Sequence, residues 1–259
     1  MFPLFVPGDR PDRFAKASNA AAIAILDLED AVAPDRKADA RSAVAAAVRA
    51  GSRAWVRVNP LGTPAWDADA VALAGCAPAG VMIAKASSPE DVAAVRARFP
   101  GTLIVALIET LAGMASVDAI AASGAGVLAF GAYDFCAELG ARPTPEVLIP
   151  WRARVVFAAR RAEIEALDTP FASIADTEGL AADARRAADA GFSGKLAIHP
   201  NQIATLRSAF APTDDEVRRA RDVVARFSTG VAVVDGTMID APLLALARRT
   251  LARADSKEA

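Results

Sequence analysis

Ile23-Ala24-Ile25-Leu26-Asp27-Leu28-Glu29-Asp30-Ala31-Val32 is an apolar run of strand length that ends in three acids. Burying a carboxylate is costly unless it is paired or bound to a metal. Acids at the end of a strand are therefore either solvated in a loop or gathered around a cation. The same pattern recurs along the chain, and its repetition decides the reading of the fold.

Working outward, short apolar runs predict strands over residues 4–6, 23–28, 54–58, 81–84, 103–108, 127–130, 171–174 and 195–198. Between them, helical spacing is found over 12–20, 36–49, 65–73, 89–98, 111–121, 145–166, 177–190 and 200–210. Ser88 before Pro89, and Asp176 before Thr177, read as helix starts. Gly51, Gly101 and Gly191 stand where helices should stop. Eight β–α alternations predict an α/β fold, a (β/α)8 TIM barrel spanning 1–212. A doubly wound open sheet is the weaker choice, because no Gly-x-Gly-x-x-Gly turn follows the first strand. Residues 213–259 are surplus to a minimal barrel. They read as a C-terminal helical extension with helices over 213–228 and 241–254, and between them a short apolar run with a turn at Gly236-Thr237. The extension either caps one barrel end or serves as a lid or subunit-exchanged arm.

The 259 residues are 54% hydrophobic with a formal net charge of -2, enough for a large core and without a basic stripe for nucleic acid. No apolar run reaches the length of a membrane span, and the Pro-rich N-terminus does not resemble a signal peptide. Cys76 and Cys136 form no metal or redox spacing, and two free thiols suit a reducing cytoplasm. His199 is the sole histidine, which excludes His-rich zinc sites. Acid–base chemistry therefore falls mainly to Asp, Glu, Lys, Arg or Tyr133.

In a parallel barrel the functional face is built at the C-terminal strand ends. The polar residues there are Asp27, Glu29, Asp30, Arg57, Asn59, Lys85, Glu109, Asp134, Asp176 and His199. Several acids with a few fixed cations suit a hard divalent ion such as Mg²⁺ facing an anionic substrate. Glu109 with Asp134 meets the one or two carboxylates Mg²⁺ usually takes, although each also stands where it could cap a following helix. Arg57 shares a strand face with Trp55 and Asn59. It either pairs with Glu29 or Asp30 as scaffold or grips a substrate carboxylate. Lys85 reads as a counter-charge, with a Schiff base as the sharper alternative. His199 reads as structural. The cations Arg10, Arg13 and Lys16 are either a solvated face or an anchor for phosphate. Asp240, before Ala241-Pro242, reads as a helix N-cap.

Taken in order, Leu4-Phe5-Val6-Pro7-Gly8, Leu26-Asp27-Leu28-Glu29-Asp30-Ala31-Val32, Val56-Arg57-Val58-Asn59, Ile108-Glu109, Phe130-Gly131-Ala132-Tyr133-Asp134, Gly194-Lys195, Ile198-His199-Pro200 with Gln202, and Met238-Ile239-Asp240 with Pro242 form a specific set. The chain resembles, nearly end to end, the citrate lyase β-subunit-like family of CoA-ester lyases within the HpcH/HpaI aldolase superfamily. The resemblance implies a cytoplasmic, usually trimeric enzyme that binds Mg²⁺ through Glu109 and Asp134. Arg57, with the backbone around Gly131 and Ala132, would hold a 2-oxoacid. Phe5, Arg10 and Lys16 would contact CoA, and Asp27, Glu29, Asp30 and Lys85 would surround the metal site. Asp240 would come from a neighbouring subunit as general acid/base, which makes the extension a functional lid. The implied reaction is Mg²⁺-dependent cleavage of a 3-hydroxyacyl-CoA, such as malyl-CoA or citramalyl-CoA, to acetyl-CoA and a 2-oxoacid, or its reverse. No histidine lies early in the chain, which argues against the HpaI branch. The alternatives are a metal-dependent aldolase of free acids and a non-catalytic subunit of a lyase complex.

Overall fold

The computed structural model describes residues 1–227, 231–234 and 237–255. The turn expected at Gly236 lies outside the described residues. The chain divides into two compact units, Met1–Leu206 and Arg207–Ala259.

In the first unit eight strands run in chain order: β1 (Leu4–Pro7), β2 (Ala24–Asp27), β3 (Trp55–Val58), β4 (Gly80–Ile83), β5 (Leu103–Ile108), β6 (Val127–Phe130), β7 (Glu165–Asp168) and β8 (Gly194–Lys195). Every neighbouring pair is parallel. Past β8 the chain returns to β1: Phe5 N–H donates to Ala197 O at 2.9 Å, and Ala197 N–H to Pro3 O at 2.8 Å. The sheet thus closes on itself, as the β–α alternation predicts.

Closure buries both faces of each strand, which is why the strands read as continuous apolar runs. The register sorts them into two sets. Ile25, Trp55, Met82, Val105, Leu107, Val127, Ala129, Leu167 and Leu196 pack as one buried cluster, with Phe5 against it. Pairings such as Ile25 with Trp55 and Leu107 with Ala129 place this set on one face, the barrel interior. Continuing the two-residue period toward the strand ends leads to Asp27, Arg57, Glu109, Gly131 and Thr169. The inward positions therefore change from apolar to polar at the C-terminal mouth.

Helices cover the outside: α1 (Phe14–Ala20), α2 (Lys37–Arg49), α3 (Pro64–Ala72), α4 (Pro89–Arg98), α5 (Leu111–Ala115), α6 (Val117–Ala122), α7 (Ala132–Leu139), α8 (Pro145–Arg161), α9 (Thr177–Ala190) and α10 (Gln202–Phe210). The expected starts hold: Asp91 Oδ2 accepts the Ser88 N–H, and Asp176 Oδ1 the Gly179 N–H. The three expected glycine stops all adopt left-handed backbone.

Two expectations need correction. The helix read over 111–121 is two helices parted at Ser116. The seventh strand is 165–168, not 171–174, and residues 165–166 had been absorbed into the preceding helix. That helix stops at Arg161 because Glu163 takes φ +57°. Glu163 N–H then bonds Arg160 O, and Ile164 N–H bonds Ala159 O. This is a Schellman ending, with glutamate where glycine is customary.

In the second unit α11 (Asp214–Arg226) opens with a capping box, Thr213 N–H to Glu216 Oε2 and Glu216 N–H to Thr213 Oγ1. An antiparallel pair, β9 (Ala232–Val234) and β10 (Thr237–Ile239), leads into α12 (Ala241–Asp255). Ala220, Val223, Ile239, Leu244 and Ala247 form its small core.

Candidate active site

A cavity of about 340 Å³ opens at the C-terminal ends of the strands. Its polar wall is Asp27, Asp30, Arg57, Glu109, Asp134, Tyr133 and Thr169; Phe5, Leu107, Leu196 and Ile198 supply an apolar wall.

Arg57 stands at the end of β3 and is nearly buried. Its Nε and Nη2 donate to Asp27 Oδ1 and Oδ2 at 2.7 and 2.6 Å. Its Nη1 lies 3.0 Å from Glu29 Oε2, and its guanidinium 4.8 Å from the Phe5 ring centre. Arg57 is thus paired as scaffold, with Asp27 and Glu29 and not with Asp30, and it also lines the cavity. Burial alone would lower its pKa, but Asp27, Glu29 and Glu109 outweigh burial and raise it further, so the cation is permanent.

Asp27 is fully buried and receives the Glu29 and Ala31 N–H groups at 2.9 and 3.1 Å. Glu29 reaches a second cation, with Lys85 Nζ at 2.6 Å from Oε1. Burial pushes the Glu29 carboxyl above its ordinary range, against the pull of Arg57 and Lys85. The Lys85 ammonium is pushed up to about 12, because hydrogen bonding to Glu29 and the charges of Glu109 and Asp30 outweigh its burial. Lys85 is held by Glu29 and is not among the cavity-lining residues, which counts against the imine alternative.

Lys85 adopts left-handed backbone (φ +51°), which turns its N–H toward Glu109 Oε1 at 2.8 Å. Glu109 does not cap the following helix; Thr110 does, through Oγ1 to the Gly113 N–H at 3.0 Å. Buried on the inner face, the Glu109 carboxyl is pushed up to about 8 by loss of solvent, with Asp134 adding repulsion against Arg57 and Lys85. Asp134 sits in the first turn of α7 and lines the cavity.

Five carboxyl groups (Asp27, Glu29, Asp30, Glu109, Asp134) thus meet two cations (Arg57, Lys85), and a divalent cation would favour the anionic form of Glu109 that burial disfavours. Among the described residues no group of three or more His, Cys, Asp or Glu could hold a metal. Glu109 and Asp134 are two oxygen donors, the number Mg²⁺ takes when water and substrate complete its shell. The donor set therefore fits Mg²⁺ and not a zinc-type cage.

The remaining expected residues are placed as follows. Gly131 N–H donates to Ile108 O and Ala132 N–H to Thr169 Oγ1. Gly131 thus offers the cavity its missing side chain, not a free donor. Phe5 lines the cavity. Arg10 is paired with Asp12 (3.0 and 2.9 Å), and neither Arg10 nor Lys16 is among the lining residues. Asp176 caps α9 and does not follow strand seven; Asp168 ends that strand and Thr169 follows it. His199 Nδ1 accepts the Asn201 N–H at 3.2 Å, the structural role expected. Asp240, in the second unit, accepts the Leu243 N–H at 3.2 Å as the N-cap of α12.

Sequence reasoning missed two groups. Asp69 on α3 receives Arg41 and both nitrogens of Asn59. Lys37, at the start of α2, donates to Leu28 O, Glu29 O and Asn59 Oδ1. An acid mid-helix and a lysine at a helix start are ordinary surface residues by pattern. Only folding brings them under the strand ends.

Residues 2–200 match the family described as HpcH/HpaI aldolase/citrate lyase. The chain belongs to that family. It is 38% identical to a citrate lyase subunit beta-like protein of Mycobacterium tuberculosis, over 97% of this chain and 94% of that one. It is 36% identical to the L-malyl-CoA/beta-methylmalyl-CoA lyase of Cereibacter sphaeroides, over 92% of this chain and 89% of that one. The crystal structure of CitE from M. tuberculosis in complex with magnesium, acetoacetate and coenzyme A superposes with a TM-score of 0.90 at 37% identity, covering 98% of this chain and 97% of that one. This HpcH/HpaI family member is accordingly an enzyme of the lyase class, as the motif order implies.

Proposed function

We propose that this HpcH/HpaI protein is a Mg²⁺-dependent carbon–carbon lyase. It cleaves a 3-hydroxyacyl-CoA of the malyl-CoA or citramalyl-CoA type to acetyl-CoA and a 2-oxoacid, or joins these in reverse. The observation that carries this reading is the buried Glu109 carboxylate beside Asp134, on the same barrel mouth as the permanent Arg57 cation. The magnesium and coenzyme A bound by the related CitE support it.

In this reading Glu109 and Asp134 hold the metal, which when bound supplies Lewis-acid polarisation of the oxygen on the carbon that is cleaved or attacked. Arg57 binds the 2-oxoacid carboxylate through N–H donors that Asp27 and Glu29 leave unused. Phe5 and the apolar wall exclude water from the thioester end. Cleavage gives up the hydroxyl proton to solvent, breaks the C2–C3 bond with its electron pair passing into the thioester as an enolate, and requires one proton back at the enolate carbon. Asp240 delivers that proton, and removes it in condensation. Residues 213–259 act as the lid that brings Asp240 to the cavity of a neighbouring copy in a homotrimer. Arg10 and Lys16 meet the CoA phosphates outside the cavity.

The test is deuterium exchange at the methyl of acetyl-CoA, followed by NMR with Mg²⁺ and glyoxylate, pyruvate or oxaloacetate in turn. Exchange that requires Mg²⁺ and is abolished by Asp240→Asn is expected, and the 2-oxoacid that yields a condensed product names the substrate. Cleavage of free hydroxyacids without any exchange on acetyl-CoA would replace the proposal with a CoA-independent aldolase.

A further inference from the structure

Lys37 occupies the first position of α2, where a cation opposes the helix dipole. Something must offset that placement, and the side chain shows what does. Its ammonium has three protons, and three acceptors converge on it: Leu28 O at 2.7 Å, Glu29 O at 2.9 Å and Asn59 Oδ1 at 2.9 Å. Two acceptors belong to the turn that follows β2, and the third stands just beyond the end of β3. Asn59 closes the triangle by donating Nδ2 to the same Leu28 O at 2.9 Å. Asp69 holds Asn59 in turn, accepting its N–H and Nδ2 at 2.8 and 2.7 Å.

The turn is therefore oriented across its width. Its carbonyls at 28 and 29 point to the Lys37 ammonium. The following N–H groups point the other way: Glu29 N–H to Asp27 Oδ1, Asp30 N–H to Glu29 Oε2 and Ala31 N–H to Asp27 Oδ2. Those are the carboxylates that hold Arg57. Lys37 itself is not among the cavity-lining residues.

We infer that Lys37 is a positioning residue, which sets the peptide planes of the 28–31 turn and through them the aim of Asp27 and Glu29 on Arg57. Its consequence for catalysis rests on the lyase reading; its geometry does not. Without the ammonium the two carbonyls lose their shared donor and the turn loses its fixed rotation. Arg57 then keeps its charge but not its direction. The damage falls on 2-oxoacid binding and spares Glu109 and Asp134, which are held from β5 and α7.

The experiment compares wild type, Lys37→Met and Lys37→Arg by hydrogen–deuterium exchange mass spectrometry and by calorimetric titration with Mg²⁺ and with glyoxylate in the presence of Mg²⁺. In Lys37→Met the amides of residues 29–31 should exchange at least tenfold faster, with strands β4–β6 unchanged. Glyoxylate affinity should fall about tenfold while Mg²⁺ affinity stays within twofold, and Lys37→Arg should recover part of both effects. Unchanged exchange at 29–31 in the folded Met variant would overturn the inference, as would acceleration spread evenly over the barrel. If wild type binds Mg²⁺ but no 2-oxoacid, the lyase reading fails, and the exchange data alone decide the role of Lys37.

Discussion

Gly131 comes so close to Glu109 that a methyl group on it would lie 2.5 Å from Glu109 Cβ and Oε2. Gly131→Ala should therefore displace the carboxylate from its aim. A fall in Mg²⁺ affinity of at least tenfold, read by calorimetry, is expected, together with a stability loss of about 1–3 kcal/mol from overpacking. Glu109→Gln separates the two effects. Burial disfavours the Glu109 anion, so in the metal-free protein its cost grows as pH rises from the unfolded carboxyl value toward about 8 and is complete above it; Gln relieves that cost while taking away a metal donor. The variant should bind Mg²⁺ much more weakly and melt at or above the wild-type temperature in chelator. Undiminished Mg²⁺ affinity would remove Glu109 from the metal site. Glu109 stood out in the sequence, because a polar residue at the end of an apolar run is conspicuous, whereas Gly131 entered only through the family resemblance. Lys37 and Asp69 did not stand out, because their significance is a contact with carbonyls and amides far away in the chain.

At the scale of elements, α9 and α8 end in the same hydrogen-bond pattern but were not equally legible. Gly191 announces its helix end, since glycine adopts φ +102° without strain. Glu163 takes φ +57° inside Arg161-Ala162-Glu163-Ile164-Glu165-Ala166, a string of good helix formers. Local propensity there favours continuation, and tertiary packing of Ala166 and Leu167 into the barrel overrides it. The seventh strand was misplaced for this reason, and Thr169 was missed as a cavity residue with it. Because Glu163 is exposed, its replacement tests the strain cleanly. Glu163→Gly should raise stability by about 0.5–1 kcal/mol, since left-handed backbone costs a side-chain-bearing residue about 1–2 kcal/mol and glycine's unfolded-state entropy returns part of it. A thermal midpoint below wild type would show that the helix end is not strained. The other strands were legible because burial on both faces writes them as uninterrupted apolar runs.

At the scale of the molecule, charge is also buried at residues that do not line the cavity. Arg152 on α8, Asp168 on β7, Asp183 on α9 and Lys195 on β8 form a buried network. Arg152 Nε meets Asp168 Oδ1 at 2.9 Å and its Nη2 meets Asp183 Oδ1 at 3.0 Å; Lys195 Nζ lies 2.5 and 2.6 Å from the two carboxylates. Arg186, half-exposed on α9, adds a third cation 3.5 Å from Asp183 Oδ1, and the network ties four elements together. Removing one partner leaves a buried ion uncompensated, and Lys195→Met should cost about 3–5 kcal/mol in a urea melt. The network also carries a pH signature. Burial would raise the Asp183 carboxyl, but Lys195 and Arg152 outweigh burial and hold it below its ordinary value. Its stabilisation is complete above the unfolded carboxyl pKa of about 4 and disappears as pH falls through the lower folded value. Asp183→Asn should therefore be much less stable than wild type at pH 7, and the gap should narrow as pH falls below the unfolded carboxyl pKa of about 4 and on through the lower folded value; a gap constant with pH would deny the pairing its part in stability. The seam next to this network joins residues 192 apart in the chain, where the N-terminal amine reaches Ser193 O. During synthesis β1 must therefore wait, edge open, until the last strand has left the ribosome. A nascent chain stopped at residue 190 should carry two unpaired parallel edges, seek chaperones, and lack protection at the Phe5 amide, whose acceptor is Ala197 O, while the Leu4 amide can still bond Ile23 O; release of the final segment should protect Phe5 and Ala197 together.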